Sequence, residues 1–353
     1  MGAGEPGDGN ERQAVLRRII DALQQAEGVI LTTHVNADGD GTGSEVAMAG
    51  WLRSLGKRVA IVNPTAYPDA FRFLIDDDEL IADAGTVAAD RFAATADVLL
   101  VLDTAEASRI GRAAKLTAGR TVLVIDHHLD TDSALRGETL RDVSACAAGE
   151  LVYDLLVEAG LPKPWPRAVR EGIYTAVVTD TGSFRFSNTT RRAHEIAGDL
   201  IDMGVDPELM YRRIYATVPL RRIELLRHAL QHLEVDETHP ITSITIDRGI
   251  MEQLGAGSDD LDGVIEHARS IEGTEVAILF RETSDGATKV SLRSAGAANV
   301  NAVARQFGGG GHVKASGALM GEKVEVARTR VLAATRAALD EAGLGFRTPA
   351  RRP

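Results

Sequence analysis

The segment Thr121-Val122-Leu123-Val124-Ile125-Asp126-His127-His128 begins with five β-branched or apolar residues and ends in three consecutive ionisable side chains. A run without polar alternation predicts a strand buried on both faces, as in a parallel sheet, because a half-solvated strand alternates. Three similar runs precede it, at residues 28–32, 58–62 and 97–102. Helix-like stretches lie between them, notably 44–55, closed by Gly56. Upstream, Val15, Leu16, Ile19, Ile20 and Leu23 recur at helical spacing over residues 11–26. The first half therefore reads as an α/β unit, a doubly wound and mainly parallel sheet with helices on both faces.

The pattern changes after Ala147. Helical stretches are expected at 150–159, 167–178, 191–203, 208–215 and 221–233, with Pro162, Pro164 and Pro166 separating the first two. Strand signals return at 241–246, 275–281 and 288–293, followed by helices at 300–307 and 324–342. This describes a smaller C-terminal α/β domain. The expected division is 11–215, a helical connector at 216–239, 240–345, and an unstructured basic tail at 346–353; residues 1–12 read as a frayed terminus. Two domains of roughly 150 residues each also suit a chain of 353 residues.

Composition narrows the function. Lys and Arg total 39 against 51 Asp and Glu, a net charge of −12, which disfavours a non-specific grip on long nucleic acid. A short phosphorylated ligand is compatible with that charge. No apolar run is long enough to span a bilayer. The single cysteine, Cys146, excludes an internal disulfide and a four-cysteine zinc site, and a cytoplasmic location is expected.

Chemistry concentrates where the predicted strands end. The first run is followed by His34, Asp38 and Asp40, the third by Asp103, and the fourth by Asp126, His127 and His128. In a parallel sheet these carboxyl ends share one edge, where a doubly wound fold places its ligand crevice. Asp180 follows the buried stretch 173–178 and opens a polar segment. So many carboxylates cannot all stay ionised together unless cations offset them. Four ligating carboxylates would carry −4 in total, which two divalent ions would balance. An oxygen-rich shell with some imidazoles suits Mn²⁺, with Mg²⁺ or Co²⁺ as competitors. Residues 36–41 resemble the opening of a calcium-binding EF-hand loop, but Ala47 stands where the loop requires Glu. Farther along, Gly308, Gly309, Gly310 and Gly311 precede His312; such glycines let backbone amides approach an anion, and Arg293 and Lys314 add cations.

Together these residues resemble the DHH phosphoesterase family, whose name-giving triplet is here Asp126-His127-His128. Its first motif appears as His34 to Asp40, its second as Asp103, its fourth as Asp180, and the GGGH signature of its C-terminal domain as Gly309 to His312. The resemblance implies one metal held by His34, Asp38 and Asp103, and a second held by Asp40, Asp103, His127 and Asp180. His128 would face the scissile phosphate, Asp126 would orient the histidines, and Arg293, Gly309, Gly310, Gly311 and His312 would bind the substrate's phosphate or nucleotide. Ala37 and Cys146 depart modestly from the usual pattern.

The expected activity is hydrolysis of short RNA, dinucleotides such as pApA, or pAp, by a water shared between two metals in an interdomain cleft. A cyclic di-AMP phosphodiesterase, an inorganic pyrophosphatase of family II type and a non-catalytic nucleotide sensor are the alternatives. The resemblance also allows a homodimer. Phe184 and Phe186 are candidates for stacking on a base, with core packing the competing role, and Arg109 for either a substrate or a subunit contact.

Overall fold

The computed structural model describes residues 9–129 and 134–345; the expected tail at 346–353 and the first eight residues of the expected frayed terminus lie outside them. The described chain divides into two compact units that meet at Thr217 and Val218.

The first unit runs α1 (Gly9–Gln25), β1 (Gly28–Thr32), α2 (Gly39–Ser54), β2 (Arg58–Asn63), β3 (Ile81–Asp83), α3 (Val87–Ala93), β4 (Val98–Leu102), β5 (Thr121–Asp126), β6 (Glu138–Arg141), α4 (Ala148–Glu158), α5 (Arg167–Asp180), α6 (Arg191–Asp202) and α7 (Pro207–Ile214). Its six strands are all parallel, in the order β3-β2-β1-β4-β5-β6. The chain steps outward from β1 to β3 and then returns to β4 on the other side of β1. The strand order therefore reverses between β1 and β4, and the loops leaving their carboxyl ends diverge there.

Successive strand residues feed opposite cores. Val29, Leu31, Leu100, Leu102, Leu123 and Ile125 pack with α1, α2, α4 and α5, while Ile30, Leu99, Val101 and Val124 pack with α3 and the turn around Ile110 and Ala113. The expected doubly wound sheet is thus present, with two strands more than its four apolar runs announced. β3 and β6 are short, half-buried edge strands and carry no continuous apolar signal.

A second difference concerns α2, which begins at Gly39 rather than at Ser44. Gly39, Gly41 and Gly43 have low intrinsic helix propensity, so the start is hidden in the sequence. Packing supplies the reason for them. A Cβ on Gly43 would stand 2.3 Å from the Gly172 carbonyl oxygen, and one on Gly172 would stand 2.5 Å from that of Gly43. At the end of the contact, a Cβ on Gly39 would meet the Thr179 hydroxyl at 2.4 Å. Residues 39 and 43 thus face 179 and 172, so α2 and α5 run antiparallel with backbones in contact. The start of α2 is set beside the end of α5.

The second unit contains α8 (Leu220–Gln231), β7 (Leu233–Val235), β8 (Ile241–Ile246), α9 (Arg248–Leu254), α10 (Val264–Arg269), β9 (Val276–Glu282), β10 (Thr288–Ser294), α11 (Val300–Arg305), β11 (Gly310–His312), β12 (Ala315–Met320) and α12 (Val324–Glu341). Its mixed sheet is ordered β11-β12-β10-β9-β8-β7, with only β8 and β9 parallel. Helices α11 and α12 cover one face, and α8 and α10 the other. The segment read as a connector is largely α8, which packs Leu225 and Ala229 into this core and leaves Leu220, Ile223 and Leu230 exposed.

Replacing Gly43 by Ala should destabilise the protein by about 3 kcal/mol, because two backbones would have to separate. The matching change at Gly198, in α6, meets nothing within 4 Å and should be neutral or stabilising by up to about 1 kcal/mol. Urea denaturation of the two variants checks the contrast; equal losses would contradict the proposed close contact.

Candidate metal centre

Asp103 follows β4 with a left-handed backbone (φ 61°), a conformation uncommon for any residue bearing a side chain but tolerated by Asp. Its amide still donates to the Ile125 carbonyl at 2.9 Å, so pairing with β5 persists where the chain turns. His34 follows β1 and is tied to the neighbouring strands: the Thr33 hydroxyl donates to the Leu102 carbonyl at 2.8 Å, and the Thr33 amide donates to Asn63 Oδ1 at 3.1 Å. Asn63 in turn donates to the buried Glu45 at 3.0 Å. Burial pushes the Glu45 carboxyl up to about 8, against the opposing hydrogen bond from Asn63.

Asp38 caps α2, accepting from the amides of Asp40 and Gly41 at 3.1 and 3.2 Å. Asp40 lies one step inside that helix and is only 1% exposed. It also serves α4, whose own N-cap position is Ala147. The amides of Ala148 and Gly149 donate to the two Asp40 oxygens at 2.6 and 2.9 Å. A helix N-terminus is thereby aimed at this carboxylate from 108 residues away in sequence. Asp180, at the end of α5, is held by Asn188 Nδ2 at 3.1 Å.

The buried His34 and the half-buried His127 both use Nδ1 on the backbone. His34 Nδ1 is 2.9 Å from the Val35 carbonyl and His127 Nδ1 is 3.2 Å from the Ala145 carbonyl. A carbonyl only accepts, so Nδ1 carries a proton and Nε2 faces the carboxylates. His34 Nε2 lies 3.6 Å from Asp38 and 3.3 Å from Asp103. His127 Nε2 lies 3.5 Å from Asp40, 3.4 Å from Asp103 and 3.8 Å from Asp180. Asp103 presents Oδ2 to His34 and Oδ1 to His127. His128 is more exposed, and its Nδ1 is 2.8 Å from Asp126 and 3.6 Å from Asp103.

Electrostatics follow from this crowding. Burial alone would lower both imidazole pKa values. The approach of Asp103, at 3.3 Å from His34 and 3.4 Å from His127, with Asp38 beside His34 and the charges of Asp40 and Asp180 beside His127, overrides it and raises each to about 10. Asp40 is raised well above the usual carboxylate range by burial and then by the charge of Asp103. Burial likewise raises Asp180 to about 6, with Asp103 and Asp38 adding to it. Asp103 is lowered in spite of its burial, because the imidazoles of His127 and His34 both face it at close range.

The groups fit divalent cations. His34 Nε2, His127 Nε2 and Asp103 Oδ1 are buried without a well-formed hydrogen bond, a costly condition unless another ligand meets them. Possible ligand atoms gather in three sets, each within 4.8 Å of one another: His34, Asp38 and Asp103; Asp40, His127 and Asp180; and Asp103, His127 and His128. The backbone bonds at Nδ1 fix the tautomer that a metal-binding imidazole needs.

Several supports escaped the sequence reading. Asn188, Asn63, Glu45 and the glycines of α2 and α5 shape the centre without belonging to its motifs. Ala147 carried one usable signal, as a helix start with no capping side chain of its own. Arg109 contributes through its backbone, its carbonyl accepting from the Val35 amide at 2.8 Å. Cys146 is fully buried, and burial with the neighbouring Glu150 raises its pKa, so its thiol is inert.

In the second unit, Arg293, Ala315 and His312 are aligned across β10, β12 and β11. Aligned residues share a face, so Arg293 and His312 flank Ala315 on the same side, about 10 Å apart. Arg293 is half-buried, with Glu266 3.8 Å from its Nε. The glycine stretch differs from a simple anion nest. Gly308 has a left-handed φ of 73°, and the amides of Gly308 and Gly309 bond to the carbonyls of Arg305 and Ala304, closing α11. The Gly309 amide is therefore engaged rather than offered to a ligand. A Cβ on Gly309 would stand 2.1 Å from the Gly317 carbonyl, and one on Gly311 would stand 2.6 Å from that of Ala315, so both glycines allow β12 to approach.

Residues 28–177 match the DHH family N-terminal domain, and residues 245–339 match the DHHA1 domain. The bifunctional oligoribonuclease and PAP phosphatase NrnA of Thermus thermophilus is 32% identical over 93% of this chain and 95% of its own length. The Bacillus subtilis protein of the same name is 28% identical over 85% of this chain and 91% of its own. A crystal structure of an exopolyphosphatase-related protein from Bacteroides fragilis superimposes with a TM-score of 0.86 at 26% identity, covering 94% of this chain and 98% of that one.

A pH dependence follows from the raised imidazoles. In the unfolded chain they titrate near 6.5, so their stabilising contribution is complete below that pH and is lost as the pH rises through about 10. Asp180 acts in the same direction at lower pH, between 3.8 and about 6. In the presence of a chelator the melting temperature should fall as the pH is raised from 6.5 to 10, as followed by circular dichroism. Adding Mn²⁺ at neutral pH should release protons, seen calorimetrically as a heat that depends on the buffer's ionisation enthalpy. A flat melting profile with no proton release would contradict the described electrostatics.

Proposed function

The chain belongs to the DHH family, and on that footing we propose that it is a metal-dependent phosphoesterase hydrolysing short oligoribonucleotides to mononucleotides and pAp to AMP. The observation that carries this reading is the pair of buried Nε2 atoms, of His34 and His127, directed at opposite oxygens of Asp103 without well-formed hydrogen bonds. We assign one ion to His34, Asp38 and Asp103 and a second to Asp40, Asp103, His127 and Asp180, with Mn²⁺ preferred over Mg²⁺ or Co²⁺ for this mixed set.

Bound divalent ions supply Lewis acidity toward phosphoryl oxygens and bring the pKa of water toward neutrality. The chain's own groups do the rest. Asp38 and Asp40 are fixed by helix N-terminal amides, so their oxygens are oriented before substrate arrives. His128 is held at Nδ1 by Asp126, which burial would raise but which the side chain and amide of His128 keep lowered. That bond orients the ring and leaves Nε2 of His128 unengaged by Asp126; as the imidazolium, it would donate from Nε2 to a phosphoryl or leaving-group oxygen. In the second unit, Arg293 and His312 are proposed to bind the substrate's phosphate or nucleotide, with Gly310 and Gly311 beside them. Gly309 contributes by keeping β11 against β12.

The net charge of −12 supports short substrates over long nucleic acid. A homodimer is proposed as well, supported by the exposed Leu220, Ile223 and Leu230 of α8. A cytoplasmic location suits the same substrates.

Incubation with Mn²⁺ and pApA, pAp, cyclic di-AMP or pyrophosphate, followed by chromatography, tests the activity. AMP should accumulate from pApA and pAp. Conversion of cyclic di-AMP alone or pyrophosphate alone would replace the reading, and tight nucleotide binding without turnover would make the protein a sensor. Asp103→Asn should lose more than about a hundredfold in turnover, since removing even a residue that merely orients a metal ligand costs up to that much. Full activity in that variant would reject the ligand assignment.

A further inference from the structure

Phe186 lies six residues beyond Asp180 and is 54% exposed, in a protein with only 4% aromatic residues. Its position is enforced rather than incidental. The Thr181 carbonyl accepts from the amides of both Arg185 and Phe186, at 2.9 and 3.0 Å, and the Ser183 amide donates to the Val178 carbonyl at 2.7 Å. Closing this turn puts Gly182, Ser183 and Phe184 in left-handed conformations, with φ of 55°, 59° and 62°. Two of those residues carry side chains, and such strain persists only where the surroundings over-determine it. The Phe184 ring is fixed against the core and stacks on His194 at 4.7 Å, so of the two phenylalanines it is the one with a packing role. The Phe186 ring lies over Gly182, where a Cβ would come within 2.5 Å of it.

The same turn holds the metal centre. Asn188 Nδ2 bonds to Asp180 Oδ2 and to the carbonyls of Asp180 and Cys146. Between Asn188 and Gly182 stands Arg185, exposed, its Nε donating to the Gly182 carbonyl at 2.6 Å. No ion pair involves it among the described residues. An exposed ring and a guanidinium without an ion pair among the described residues therefore occupy successive positions on a locked turn that also fixes a candidate metal ligand. A nucleotide offers the complementary pair, a flat base and an anionic phosphate, and stacking on an aromatic side chain tolerates every base.

We propose that Phe186 is the nucleobase platform of this site and that Arg185 contacts a phosphate of the same nucleotide. This rests on the phosphoesterase reading and adds to it a residue that selects nucleotides over other phosphodiesters.

The test is a cycle across protein and substrate. Wild type, Phe186→Ala and Arg185→Ala are assayed with Mn²⁺ on pApA and on a base-free analogue in which hydrogen replaces each adenine. Phe186→Ala should raise KM for pApA about tenfold with kcat little changed. It should act on the base-free analogue as wild type does, because the partner of the ring is already gone. Arg185→Ala should weaken both substrates alike, since both keep the phosphates. Phe186→Leu, which keeps an apolar side chain of similar bulk, should behave as Phe186→Ala if stacking is what matters. Unchanged KM for pApA in Phe186→Ala, or equal losses on both substrates, would overturn the platform while leaving the phosphoesterase intact. Absence of wild-type turnover on both substrates would overturn the underlying reading and the platform with it.

Discussion

Carboxylate oxygens gathered within 4.8 Å of one another in a largely buried pocket repel, and this repulsion organises the first unit. Asp40 and Asp103 are almost fully buried, Asp180 is half-buried beside them, and each is bonded or faced by His127. Without cations, the protein meets the repulsion with protons, as the raised imidazoles and raised carboxyls show. On the proposed reading, two divalent ions replace those protons. The metal-free form is then a proton-loaded version of the functional one.

The fold delivers the groups from distant segments by different means. Strand order brings His34, Asp103 and His127 to one edge, because β1, β4 and β5 are adjacent and parallel. Helix packing does the rest: glycine-to-glycine contact between α2 and α5 sets Asp40 beside Asp180, and α4 directs its amides at Asp40. A side chain at position 43 or 172 would act on the metal centre without touching it, by separating the two helices that carry ligands.

Much of this was legible in the sequence, for identifiable reasons. Continuous apolar runs mark strands buried on both faces, so the parallel sheet and the ends of β1, β4 and β5 could be read directly, along with the ionisable residues that follow them. What could not be read depends on contacts between distant segments. The start of α2 is written in glycines that local propensity assigns to a loop. The edge strands β3 and β6 are too short and too polar to show a period. The glycines before His312 read as a flexible turn when taken alone and as an anion nest only beside Arg293 and Lys314, whereas Gly309 is required by the approach of Gly317 and its amide closes α11. Phe184 and Phe186 are indistinguishable by type and spacing, and only the left-handed turn separates a core ring from an exposed one.

Diffraction at the manganese absorption edge from crystals grown with Mn²⁺ would test the central claim most directly. The account predicts two anomalous peaks per chain, one against His34 and Asp38, the other against Asp40, His127 and Asp180, with Asp103 touching both. A map with no peak there, or with a single ion that leaves His34 or His127 unligated, would contradict it.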